Sequence, residues 1–291
     1  MGTDFQNQTI QWFPGHMAKT RRKIKESLPL VDAVTEIVDA RVPLSSSNPE
    51  IADIIEKKPR IILLNKSDVA DRNSTHRWIE YFKSQGMGAL AVDCRSGKGL
   101  NEYKALLKEV LKEKIDSNIQ KGMQGKALRI MVVGIPNTGK SSFINKMAGR
   151  SRAKVADKPG VTRQNQWFAI GDGIELLDTP GVLWPKFDDP AVGDRLAFIG
   201  SVKDTIIDCE SLAVRLIEIL KETYSDRLEE RYKISDFSDK ESYEILEMIG
   251  RKRGMLISGG EVNTERAANT LLDEYRAGKL GHITLEQPPK I

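Results

Sequence analysis

Short apolar runs alternate with amphipathic stretches over roughly the first two thirds of the chain. RIILL at 60–64 and the run Leu128–Val133 carry almost no polar alternation, the pattern of a strand covered on both faces. With 34–40 (VTEIVDA), 89–92 and the pair 167–170 and 174–177, they predict strands, the last two joined through Gly171-Asp172-Gly173 as a hairpin. A turn-rich stretch surrounds Pro43 and Ser45–Ser47. Between the strands, 75–85 places Trp78, Ile79 and Phe82 on one helical face, 100–115 reads as a long helix, and 141–147 begins another. Such alternation predicts an α/β fold around a mostly parallel sheet. A polar, glycine-containing stretch at 116–127 reads as a linker. Past about residue 200 only helical patterns remain. Ser201-x-x-Asp204 is a capping box preceding Ile206, Cys209, Ala213, Leu216, Ile217 and Leu220. A second box, Ser238-x-x-Glu241, precedes Tyr243, Leu246 and Ile249, with Gly250 as C-cap, and a third helix runs from Thr264 to Gly278. The expected division is therefore an α/β domain over 1–200, carrying a basic N-terminal arm at 1–27, and a small all-α domain over 201–291.

Composition narrows the class without naming it. Of 291 residues, 40% are hydrophobic and 30% charged, ordinary for globular proteins with a sizeable core. No apolar run approaches the roughly 18 residues of a membrane span. The first residues, with Asp4, Gln6, Asn7 and Gln8, lack the apolar centre of a secretory signal. Two cysteines, Cys94 and Cys209, are too few for a disulfide framework or a zinc site. The expectation is a cytoplasmic protein with no membrane partner. A net charge of +4, from 45 Lys+Arg against 41 Asp+Glu, does not by itself argue for nucleic acid. Clustering carries more: Lys19, Arg21, Arg22, Lys23 and Lys25 crowd one segment, and Arg251-Lys252-Arg253 stand together. Either group suits phosphate, and either is also what a solvated helix face looks like.

The strongest chemical signal is GIPNTGKSS at 134–142, a G-x-x-x-x-G-K-[ST] loop between a predicted strand and a predicted helix. Its backbone N–H groups, from Asn137, Thr138 and Gly139 to Ser142, can curl around phosphate oxygens. Lys140 reaches phosphate as a mobile charge, and Ser141 Oγ offers a position on Mg²⁺. Asp178-Thr179-Pro180-Gly181 closes the next strand, as expected for a carboxylate holding Mg²⁺ through water and a Gly181 N–H sensing the terminal phosphate. Thr162, in KPGVTR between the two motifs, is placed to close on Mg²⁺ as a switch threonine. Asn65-Lys66-Ser67-Asp68 follows the strand 60–64. The Asp68 carboxylate only accepts, so it suits the adjacent N1–H and N2–H₂ of guanine, a pair adenine lacks. The Lys66 stem can cover one face of the base. After the next strand, Asp93-Cys94-Arg95-Ser96 stands where a loop caps the guanine O6 with a backbone N–H.

The base-reading elements precede the phosphate loop, whereas in ordinary small GTPases that loop comes first. Strand pairing does not depend on where the termini fall, so a circularly permuted domain is expected, with GTP and GDP as ligands. WFPGHMAKTRR at 12–22, VDARVP at 38–43, NP at 48–49, NKSD at 65–68, GIPNTGKSS, KPGVT at 158–162, LLDTPGVLWPKF at 176–187 and KRG at 252–254 together resemble the circularly permuted YlqF/RbgA family, the ribosome-biogenesis GTPase A group. The resemblance spans nearly the whole chain. It implies a GTPase acting late in assembly of the large (50S) ribosomal subunit, binding ribosomal RNA and proteins, with no DNA among its partners. Thr138 and Cys94-Arg95-Ser96 depart from the usual family pattern. Val182 follows Gly181 where many GTPases place a glutamine, so hydrolysis is expected to be slow until stimulated. His16, from an N-terminal arm, and Asn137, as a candidate holder of K⁺ beside the phosphates, are what the resemblance implies as catalytic help alongside Lys140 and Thr162. Two other readings remain open from residues alone: a P-loop ATPase or small-molecule kinase, and an RNA-binding scaffold with a structural nucleotide.

Overall fold

The computed structural model describes residues 14–55, 58–149, 166–179, 181, 189–202 and 208–290, with side chains from residue 21 onward. Two compact units result, an α/β unit that runs to residue 187 and takes back 286–291, and a helical unit over 188–285.

In the α/β unit, β1 (Ala33–Asp39), β2 (Arg60–Asn65), β3 (Gly88–Ala91), β4 (Leu128–Val133), β5 (Gln166–Ala169) and β6 (Ile174–Asp178) form one sheet in the order β3-β2-β1-β4-β6-β5. Every pairing is parallel except the hairpin β5–β6, whose turn residues Gly171, Asp172 and Gly173 all have positive φ. The pleat sorts the core. Ile37, Ile61, Leu63, Ile130, Val132 and Leu176 face one way with Tyr103, Leu107 and Phe143. These three come from α4 (Tyr103–Val110) and α6 (Lys140–Met147). On the other face, Val34, Met131, Val133 and Leu177 pack with Ile24 of α1 (Pro14–Ser27) and with α2 (Pro49–Ile55). Val38, Ile62 and Leu64 meet Trp78 and Phe82 of α3 (Arg72–Ser84). Residues 14–27 are thus a helix contributing to the core, a correction to the expected arm. The segment is amphipathic, and its scarce apolar positions were hidden by its cations.

Two further expectations shift. The helix over 100–115 is a short 3₁₀ turn, α4, a break at Leu111 and α5 (Lys112–Gln120). The expected linker at 116–127 is therefore helical to Gln120, with Asn118 buried and Ile119 exposed, so the polar composition hid a continuing helix. The chain end returns as part of the α/β unit. The Glu286 carboxylate, 6% exposed, accepts from Leu44 N at 2.7 Å, Ser45 N and Ser45 Oγ, and its carbonyl accepts from Trp78 Nε1.

The helical unit contains α7 (Pro190–Phe198), α8 (Cys209–Thr223), α9 (Ser225–Tyr232), α10 (Ser242–Lys252) and α11 (Thr264–Arg276). It therefore takes in α7, which the division at 200 had assigned to the first domain. Its caps also lie off the expected boxes. Asp208 caps α8 by accepting from Glu210 N and Ser211 N, while Asp204 of the expected Ser201–Asp204 box lies outside the described residues, and Glu241 with Glu244 forms the box of α10, three residues past Ser238. Gly250 is inside α10 rather than its C-cap. A Cβ there would stand 2.3 Å from Val262 Cγ1, so the glycine serves close packing. Glu274 of α11 binds Arg231 and Arg253, which hold its carboxyl below its usual value although burial pushes it up.

Candidate nucleotide site

Parallel pairing brings the motifs to one edge of the sheet. Asp39, Asn65, the residues after Ala91, Gly134 and Asp178 all lie at the carboxyl ends of their strands, where ligands bind in open α/β sheets.

The phosphate loop leaves β4 at Gly134 and enters α6 at Lys140. Asn137 and Gly139 have φ of 65° and 98°, left-handed values that curl the backbone as an anion-binding loop requires. Asparagine tolerates that conformation better than most residues, which explains Asn137 on backbone grounds alone. Thr138 is fully buried with Oγ1 donating to Ile135 O at 3.0 Å, so the departure from the family pattern supplies an internal hydrogen bond. Lys140 Nζ lies 2.8 Å from Asp178 Oδ1, both buried, which places two predicted site residues against one another. Thr179 Oγ1 donates to Val132 O at 2.7 Å, anchoring the Asp178 motif to β4. A Cβ on Gly181 would stand 3.2 Å from Pro136 N, so this glycine lies against the loop. Ser141 and Ser142 open α6 and are half-buried. The oxygen donors Ser141 and Asp178 suit a hard cation such as Mg²⁺. Among the described residues no group of three or more His, Cys, Asp or Glu is placed to hold a metal.

The base loop is joined to the phosphate loop by one side chain. Asn65 Nδ2 donates to Thr138 O at 2.6 Å, and Asn65 Oδ1 accepts from Cys94 N at 2.9 Å. Three motifs separated by up to 73 positions thereby meet on a single amide. Close approach explains Gly139 as well, since a Cβ there would fall 2.1 Å from Asn65 Nδ2. Ser67 donates from N and Oγ to Val92 O, at 3.2 and 3.0 Å, seating the turn on the end of β3. Asp68 is exposed, so its carboxylate is accessible to a base.

The loop after β3 is built around Asp93, which accepts from Arg95 N at 2.8 Å and Ser96 N at 3.3 Å. Burial pushes the Asp93 carboxyl up, but its bonds from Ser96 and Arg95 hold it below its usual value. The N–H groups of Cys94, Arg95 and Ser96 thus all have acceptors inside the loop system, so capping of O6 from here involves sharing one of them. Burial pushes the Cys94 thiol far above its usual value, keeping it an unreactive thiol.

Sequence reasoning passed over one part of the site. Asp39, fully buried, accepts from Arg41 Nε at 2.9 Å and Arg41 Nη2 at 2.8 Å, and its Oδ2 also lies 2.9 Å from Lys66 Nζ. Burial alone would raise the Asp39 carboxyl, but Arg41 and Lys66 hold it well below the carboxylate range. Burial lowers the Lys66 ammonium while Asp39 pulls it back. Lys66 has φ 61°, a conformation costing about 1–3 kcal/mol in a residue with a side chain. The available signal was VDARVP, charged residues ending a strand directly beside the strand that leads into Asn65. His16 belongs to α1 by backbone, but its side chain lies outside the described residues. Thr162, Pro180 and Val182 lie outside them too.

Known proteins match this arrangement. A family profile described as a 50S ribosome-binding GTPase matches residues 129–249. The match begins on β4 and leaves Asn65–Asp68 upstream, as a permuted order requires. The chain is 47% identical over 279 residues to ribosome biogenesis GTPase A of Bacillus cereus, covering 96% of this chain and 94% of that protein. Among solved structures, a GDP-bound YlqF superposes with a TM-score of 0.67 at 31% identity, covering 92% of this chain and 99% of that one. A GNP-bound YlqF from Thermotoga maritima gives 0.64 at 32%, covering 94% and 100%.

Proposed function

The chain belongs to the ribosome biogenesis GTPase A family and is a circularly permuted P-loop GTPase, and we propose that it hydrolyses GTP during a late step of large-subunit assembly, stimulated by the ribosomal particle. The observation that carries the nucleotide part is Asn65 bridging Thr138 and Cys94. It ties the loop after β2, the loop after β4 and the 93–96 loop together at one edge of the sheet.

In this reading the loop 137–142 wraps the phosphates with its backbone N–H groups, and Lys140 moves from Asp178 toward the terminal phosphates. Asp68 accepts from guanine N1–H and N2–H₂ while the Lys66 stem lies along the ring. Ser141, Thr162 and Asp178, the last through water, are the residues that hold Mg²⁺. When bound, the ion neutralises charge building on the phosphate oxygens. Valine at 182 cannot orient water, so the group that does so comes from elsewhere. His16 on α1 is one source; K⁺ held near Asn137 is a second means of offsetting the developing charge. The clustered cations Lys19–Lys25 and Arg251–Lys252 supply phosphate contacts to ribosomal RNA. Among the described residues no helix is long and apolar enough to cross a membrane; a cytoplasmic location follows from the proposed partner.

Phosphate release from GTP, measured with and without large ribosomal subunits, tests the reading. The expected result is slow turnover alone and stimulation by at least about tenfold with subunits, rising toward the roughly 10³–10⁵ that one supplied catalytic group can give. Identical turnover in both would remove the ribosomal part. Loss of activity in His16→Ala, or a requirement for K⁺ over Na⁺, assigns the missing group.

A further inference from the structure

The VDARVP motif has no task in the nucleotide chemistry, yet it places a fully buried ion pair against the base loop. Arg41 grips Asp39 with two parallel bonds, Nε to Oδ1 and Nη2 to Oδ2, and its own backbone N–H adds a third to Oδ1 at 3.1 Å. The plane of the carboxylate is therefore set before any other group meets it. Asp39 N points at Ser46 Oγ at 2.9 Å, and that hydroxyl also lies 2.6 Å from Val42 O, closing the loop on itself. Ala40 N donates to Asn65 O at 2.8 Å, so the two loops leave the sheet in register. Against this block lies the Lys66 ammonium, on Asp39 Oδ2.

We infer that Asp39, locked by Arg41, is a positioning residue for guanine selection: it holds Lys66 in its left-handed conformation with the ammonium drawn back, so that the stem presents a flat apolar face to the base and Asp68 follows at the right place. The inference rests on the reading of Asn65–Asp68 as the guanine site. A lysine is otherwise a flexible four-carbon stem with a strongly hydrated end. Left alone, its ammonium would seek phosphate or water and the stem would leave the ring. Asp39 supplies the competing anion. It acts through Lys66, touching no nucleotide itself. The phosphate loop has anchors in which the Asp39 carboxylate takes no part: the Asn65 amide on Thr138 O, Thr138 on Ile135 O and Lys140 on Asp178. Loss of Asp39 therefore changes what the site discriminates rather than how it grips phosphate.

The test is the ratio of affinities for GDP and ADP, measured by titration of the full chain with fluorescent nucleotides in Mg²⁺, for wild type, Asp39→Asn, Arg41→Lys, Lys66→Met and the double variant Asp39→Asn/Lys66→Met. In Asp39→Asn the GDP:ADP ratio is expected to fall by about tenfold or more while ADP affinity stays within about twofold. Arg41→Lys, which keeps charge but loses the fork, is expected to fall by a smaller factor. Added to Lys66→Met, the Asp39 change should cost little further, as for two residues acting through one contact. A merely structural role would lower both affinities together, leave the ratio intact and add its loss fully to that of Lys66→Met; that outcome overturns the inference. Should Asp39→Asn fail to fold, Arg41→Lys decides, with an unchanged ratio overturning it. If wild type itself does not prefer GDP over ADP, the guanine site falls, and the inference with it, by a result distinct from an unchanged ratio in the variants.

Discussion

Asn65 shows how much one side chain carries. An amide donates and accepts at once, and here both capacities are spent on other loops, Thr138 O and Cys94 N. Asn65→Ala removes both and leaves the N–H of a 3% exposed residue without that acceptor. We expect a stability loss of about 1–3 kcal/mol, the cost of an unmade buried bond, seen as a lower denaturation midpoint. GDP affinity should fall by at least about tenfold, because loops that each need the others to stay in place will separate. Normal GDP affinity in a destabilised Asn65→Ala protein would show that the bridge serves folding alone. The motif made Asn65 visible in the sequence. Its partners were not, because hydrogen bonding across 73 positions depends on which strands pair. Asp39 and Arg41 in VDARVP carried no readable role for the same reason: their partner is Lys66, just past the neighbouring strand β2.

Elements were legible where periodicity was long and unambiguous. The buried strands β2 and β4 declared themselves through nearly continuous apolar runs, which few other environments accept. Helix ends were less visible. Glu241 caps α10, whereas the Ser238-x-x-Glu241 spacing had pointed to Ser238 as the cap. Which polar residue caps is decided by where the chain turns into the packed bundle. Gly250 illustrates the same limit. Placed near a helix end it reads as a C-cap, yet in the fold it lets Val262 approach α10. Gly250→Ala, favourable by helix propensity alone, is therefore expected to destabilise the helical unit by about 1–3 kcal/mol, the usual cost of overpacking. Chemical denaturation followed by far-ultraviolet dichroism checks the sign. A more stable Gly250→Ala protein would mean that Val262 moves away at little cost.

At the scale of the whole chain, permutation leaves the sheet unchanged and moves the termini. The strand order places β4 between β1 and β6 although β1 and β2 come first in sequence. The last residues then return to the α/β unit, where Glu286 closes the loop at Leu44–Ser45 and supplies the acceptor for Trp78. Glu286→Ala is expected to lower the thermal midpoint, through a stability loss of about 1–3 kcal/mol as two backbone N–H groups lose a buried acceptor. Saturating GDP should raise the midpoint of variant and wild type alike, since ligand stabilises whatever folded form binds it. An unchanged midpoint in Glu286→Ala would show the tail contact to be dispensable.

The phosphate-loop spacing, the Asn-Lys-Ser-Asp tetrapeptide and their order along the chain were sufficient for the class: an α/β P-loop GTPase domain with its motifs in permuted order. These are local properties, set by what each residue type can donate, accept or bury. Tertiary structure alone decided that Asn65 spans three loops, that Asp39 and Arg41 stand behind Lys66, that residues 14–27 join the core as a helix, and that Glu286 belongs to the α/β unit. Each is a meeting between distant positions, and distance along a chain says nothing about contact until the strands have paired.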